Sequence, residues 1–170
     1  HVRAQNYLRG IGTGAKSGPT DRMMMVLPLY HATGGLVGIG CTLTHCGAVI
    51  VQPKFSATKF WDEAVRHGAT QFTYVGELCR FLLSTPPHPL ERDHKIRWAI
   101  GNGLRKDVWE GFTKRFDIPH IIEFYGATEG NVASAVLFGA ADATNGPVTA
   151  LAQTRLTSVL VRPFTIPSNG

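Results

Sequence analysis

Residues 96–125 read IRWAIGNGLRKDVWEGFTKRFDIPHIIEFY, and this stretch decides the fold class. IRWAI is a short apolar run that predicts a strand, and GNGLR breaks it with two glycines around Asn102. LRKDVWEGFTKRFD carries Leu104, Val108, Phe112 and Phe116 on one side of a predicted helix. IPHIIEFY is apolar again and stops at Gly126, where small, hydroxyl and acidic residues follow. Strand, turn, amphipathic helix and strand in succession are the βαβ signature of a parallel sheet.

The same alternation continues upstream. TQFTYV predicts a strand, GELCRFLLST a short helix stopped by Pro86 and Pro87, and PPHPLERDHK a loop. SATKFWDEAVRHG predicts a helix with Ser56 as N-cap, an apolar face of Phe60, Trp61, Ala64 and Val65, and Gly68 as terminator. AVIVQP reads as a buried strand, and HATGGLVGIGCTLTHCG as a tightly packed helix closed by Gly47. MMMVLPLY is a strand ended by Pro28, GIGTGAKSGPTD a loop, and residues 1–10 the end of a helix. The expected fold class is α/β, layered on a largely parallel sheet. Ligands of such sheets bind beyond the carboxyl ends of the strands. LPLYHATGG, GNGLR and YGATEGN all fall at such ends, on one rim.

Bulk properties bound the rest. The chain has 170 residues, 44% hydrophobic and 17% charged, enough for one domain that buries roughly 70% of its unfolded surface. No apolar run reaches the roughly 18 residues of a membrane span. The net charge is +5, but the basic residues are scattered, so no nucleic-acid partner is expected. Three cysteines, Cys41, Cys46 and Cys79, argue against a disulfide scaffold and for buried, inert thiols in a reducing compartment. Cys41 and Cys46 flank His45, but two thiols and one imidazole fall short of a zinc set. The chain begins at His1 and is expected to be cut from something longer. Residues 1–138 form the expected domain fragment, and 139–170, rich in Thr, Ala, Gly and Pro, an expected poorly ordered tail.

The motifs divide into failures and candidates. GIGTGAKSG is no phosphate loop, because Ala15 separates Gly14 from Lys16, and Ser17 stands where a dinucleotide fingerprint has its third glycine. No G-x-S-x-G elbow is present. HPLERDH sits among prolines and reads as solvated surface rather than a metal site. His31 suits either a ligand contact or a helix cap. Gly101 and Gly103 suit either a flat ligand's close approach or a plain turn. In YGATEGN, Glu129 is a hard oxygen ligand suited to Mg²⁺ with substrate phosphates, Thr128 offers a hydroxyl to a phosphate oxygen, and Tyr125 offers an aromatic face. The competing reading there is an acidic cap or turn.

LPLYHATGGLVGIG, KFSATKFWDE, YVGELCRFLLSTPPHPLERDHKIR, AIGNGLRKDVWEGFTKRFDIP and IIEFYGATEGN together resemble the adenylate-forming, AMP-binding enzymes. Within them the chain is similar to the fatty acid transport protein and very-long-chain acyl-CoA synthetase branch, over roughly residues 20–137. The resemblance implies part of the large N-terminal domain and a two-step reaction with ATP, Mg²⁺, a fatty acid and CoA. It implies that Glu129 holds Mg²⁺ and Thr128 touches ATP phosphate, with Tyr125 and Gly126 beside the adenine. Gly101, Asn102 and Gly103 would line the adenine and acyl side, and His31 would stand near the acyl carboxylate. It further implies a cytoplasmic or peripheral membrane location. The family's phosphate loop, ribose aspartate and C-terminal lysine domain have no counterpart here, and after Val136 the sequence departs from the family, so Asp142 is not the ribose aspartate. The alternative is therefore a non-catalytic remnant that binds acyl chains or a protein partner.

Overall fold

The computed structural model describes residues 17–126 and 133–139. The strands are β1 (Arg22–Met25), β2 (Ala48–Val51), β3 (Gln71–Val75), β4 (Trp98–Asn102), β5 (His120–Gly126) and β6 (Ala133–Gly139). They form one six-stranded sheet in the order β2-β1-β3-β4-β5-β6. Every neighbouring pair is parallel except β5–β6, which is antiparallel. A π-helical segment, Ala32–Gly38, runs into α1 (Ile39–Thr44). The remaining helices are α2 (Phe60–His67), α3 (Gly76–Ser84) and α4 (Lys106–Phe116). The α/β expectation holds.

Strand parity builds two cores. Met24, Phe72, Tyr74, Ala99 and Ile121 face Phe60, Trp61, Leu78, Leu82, Phe112 and Phe116 of α2, α3 and α4. Met23, Met25, Trp98, Ile100, Ile122 and Phe124 belong to the opposite cluster, with Val37 and Cys41 of the π-helical segment and α1. Each fully buried side chain of this size contributes roughly 1.5–3 kcal/mol. The path from β1 to β2 thus crosses one face, and the path from β2 to β3 returns past β1 over the other. The connections after β1 and β3 leave on opposite faces, so the strand order reverses between these two strands.

The opposite rim is tied together by Asp21, 5% exposed. Its carboxylate accepts from Gly18 N (2.8 Å), Thr70 Oγ1 (2.7 Å) and one Arg97 nitrogen (2.7 and 2.6 Å to its two oxygens). Its carbonyl accepts from Ala48 N at 2.9 Å. One side chain and its own backbone therefore link the starts of β1 to β4.

Several expectations need correction. AVIVQP forms an edge strand whose residues are exposed or half-buried, because β2 has a neighbour on one side only in the described sheet. Ser56 does not cap α2; its carbonyl accepts from Lys59 N at 3.2 Å in the preceding turn, and Lys59 takes the cap position. After α1 the left-handed residue is Cys46 (φ 61°) rather than Gly47. Gly47 is small for packing, since a Cβ there would lie 3.1 Å from both Asp21 O and Thr42 Cγ2. Cys46 is consequently exposed, while Cys41 and Cys79 are buried as expected. HPLERDH is more than solvated surface. Glu91 pairs with Arg115 at 2.9 Å, and Arg92 donates to the carbonyls of Lys114 and Arg115 at the end of α4. The expectations for residues 1–10, for most of GIGTGAKSG and for the tail from residue 140 lie outside the described residues.

Candidate functional site

The carboxyl rim is organised by a row across three strands. Tyr74 of β3 pairs in register with Gly101 of β4, and Gly101 with Glu123 of β5. All three point to the face covered by α2, α3 and α4. Adjacent strands are about 4.8 Å apart, so Tyr74 and Glu123 stand two spacings from one another. They meet because Gly101 has no side chain. A Cβ at residue 101 would lie 2.7 Å from Tyr74 Cγ and 2.1 Å from Tyr74 O. The tyrosine crosses this gap and donates its hydroxyl to Glu123 Oε2 at 2.5 Å. Burial first, and then the neighbouring Glu123 carboxylate, push the Tyr74 hydroxyl pKa well above its ordinary value, so it stays a donor. Burial and the same carboxylate also push the Cys79 thiol up, leaving it inert.

Glu123 serves the turn as well. The Gly103 amide donates to Oε1, and the Leu104 amide reaches Oε1 at 3.2 Å and Oε2 at 3.4 Å. Gly103 has φ 76°, a conformation that glycine adopts without cost. Behind the turn lies Gly76, the first residue of α3, where a Cβ would be 1.8 Å from Gly103 O. A cleft beside the row is lined by Leu104, Lys106, Trp109, Ile121 and Glu123.

This arrangement sorts the turn's chemistry. The amides of Gly103 and Leu104 are consumed by a carboxylate, so they do not form a phosphate nest. Asn102 Oδ1 is buried and has no hydrogen-bond partner among the described residues. The turn therefore presents an unsatisfied acceptor, which suits a ligand carrying an N–H group.

The remaining candidates divide. His31 lies in the loop after β1, two strands across the rim from β4. It is exposed, and its Nδ1 accepts from Thr33 N at 3.3 Å as the cap of the π-helical segment. The capping geometry expected of His31 is in place. The loop folds back tightly, since a Cβ on Gly35 would lie 2.0 Å from Leu29 O. Tyr125 and Gly126 end β5, in register with Ser134 and Ala133 of β6. Thr128 and Glu129 lie outside the described residues. The sequence reading missed Tyr74, Gly76 and Glu123. Glu123 carried a usable signal: a carboxylate between Ile122 and Phe124 in a buried strand requires partners.

Comparison with known proteins adds a second line. A profile described as AMP-binding enzyme matches residues 2–159. Long-chain fatty acid transport protein 3 of Mus musculus is 51% identical over 114 residues, 67% of this chain and 17% of its own length. The medium/long-chain-fatty-acid–CoA ligase FadD6 of Mycobacterium tuberculosis is 39% identical over 137 residues, 81% of this chain and 23% of that protein. The chain thus spans less than a quarter of either relative. Among solved structures, ATP-bound MatB from Rhodopseudomonas palustris is similar with a TM-score of 0.61 and 25% identity, over 75% of this chain and 26% of that one.

Proposed function

Since the chain belongs to the AMP-binding enzyme family, we propose that it carries the adenine side of an ATP-dependent site for activating long-chain or very-long-chain fatty acids. In that reaction a fatty carboxylate attacks the α-phosphate of ATP, forming an acyl-adenylate and releasing pyrophosphate. The CoA thiol then displaces AMP to give the thioester. Gly101, Asn102 and Gly103 face the base, with Tyr125 and Gly126 beside it. Thr128 meets a phosphate oxygen, Glu129 holds Mg²⁺ against the phosphates, and His31 stands near the acyl carboxylate. Mg²⁺ supplies charge neutralisation when bound. A cytoplasmic or membrane-surface location belongs to the same proposal; no described helix is long and apolar enough to cross a bilayer.

The observation that carries the reading is the buried Asn102 Oδ1 at the rim, which has no partner among the described residues. Adenine has an exocyclic amine to offer it, whereas hypoxanthine has a carbonyl. The test titrates the chain with ATP and with inosine triphosphate. ATP is expected to bind about tenfold more tightly, the worth of one buried polar group matched rather than opposed. Asn102→Ala should remove the preference, and equal affinity of the native chain for both nucleotides would overturn the assignment.

A further inference from the structure

We infer that Glu123 is a positioning residue: its carboxylate, gripped by the Tyr74 hydroxyl, holds the Gly103 and Leu104 amides and presets the turn that the nucleotide base meets. This rests on the reading of the rim as an adenine site and adds a residue to it. The geometry is specific. Tyr74 donates to Oε2 at 2.5 Å, while the two turn amides converge on Oε1, Leu104 also reaching Oε2. The three donors come from β3 and the β4–α4 turn, so one carboxylate on β5 fixes the relation of three neighbouring strands at their ligand-facing ends.

Two further features fit this role. Gly101 is bare beneath the tyrosine, and Gly76 admits the Gly103 carbonyl from behind, so the turn is held between the carboxylate and the start of α3. The amides that Glu123 occupies are withdrawn from the ligand, and Asn102 Oδ1 is buried in the turn with no partner among the described residues. A carboxylate with two amides and a hydroxyl forms charge-assisted bonds, stronger than the neutral bonds an amide side chain would make. Preset donors and acceptors lower the ordering cost of binding.

The test compares the full chain with Glu123→Gln and Tyr74→Phe, using Asp21→Ala as a control that weakens the sheet at its opposite end. Amide exchange at Gly103 and Leu104 is followed by NMR, and ATP affinity by titration. Glu123→Gln should speed exchange at these two amides about tenfold relative to Ile100 and Ile122, and weaken ATP about tenfold. Tyr74→Phe should do both by a smaller factor, and it decides the matter if Glu123→Gln does not fold. Asp21→Ala should lower Tm with ATP affinity unchanged, which separates positioning from general destabilisation. Unchanged exchange at Gly103 and Leu104 overturns the inference. So does unchanged ATP affinity in a variant whose turn has loosened. A native chain that binds no ATP, with exchange still dependent on Glu123, instead overturns the adenine reading and leaves the strut as purely structural.

Discussion

Both ring nitrogens of His94 are engaged: Nδ1 accepts from Ile96 N at 3.0 Å, and Nε2 donates to Phe116 O at 2.9 Å. The ring is also stacked on Trp61, with centroids 5.0 Å apart. This pattern requires the neutral form, because a second ring proton would face the Ile96 amide. Burial lowers the His94 pKa, and the Phe116 carbonyl and two nearby aspartates offset it only in part. An unfolded histidine takes its proton near pH 6.5. Below that value the unfolded chain binds a proton that the folded one refuses, so stability is level above about pH 6.5 and falls as the pH drops. Glu91 acts in a lower window. Its bond to Arg115 holds its carboxyl below the ordinary value, so its contribution is lost only below about pH 4.3. The urea midpoint should therefore fall between pH 7.5 and 5, and His94→Gln should shrink that fall. An identical pH profile in the variant would contradict the account.

At the junction of β3 and α3, propensity and packing make opposite demands on Gly76. In an ordinary helix, alanine is favoured over glycine by about 1 kcal/mol. Here an added Cβ would lie 1.8 Å from Gly103 O and 3.1 Å from Leu104 N, both backbone atoms that cannot swing aside. Gly76→Ala should therefore destabilise by about 1–3 kcal/mol, in line with overpacking elsewhere. Gly18→Ala, where nothing lies within 4 Å of the added carbon, is the control and should stay within about 0.5 kcal/mol. Equal urea midpoints for the two variants would refute the packing account. The same junction marks where the sequence was legible. GNGLR announced a turn because glycines interrupt an apolar run. The reason for Gly101 was invisible, since Tyr74 lies in another strand and its carboxylate partner is 49 positions further along the chain. Strands β1, β3, β4 and β5 were readable because burial on both faces makes them predominantly apolar. The edge position of β2 was not, because apolarity does not count neighbours. β6 had no expectation at all, for ASAVLFG stands alone without the βαβ alternation that revealed the others. The Asp21–Arg97 link spans 76 positions and leaves no local pattern.

At the level of the molecule, a largely parallel sheet with helices on both faces separates its two ends. The Asp21 link holds one end and the Tyr74–Gly101–Glu123 row shapes the other, so stability and ligand contact can be altered independently. Between them runs β1, whose residues Met23, Met24 and Met25 are each at most 1% exposed. Met23 and Met25 enter one core, Met24 the other, and they are the chain's three methionines. The three thioethers are thus shielded on the two sides of one strand, two on one side and one on the other. Mild peroxide can reach all three only when both layers separate, and each sulfoxide formed adds a polar oxygen to a packed core. The three sulfurs should oxidise at one common rate that rises with denaturant, and mass spectrometry of that reaction would serve as a clock for complete opening. Unequal rates for Met24 and its two neighbours would mean instead that one layer lifts while the other stays closed.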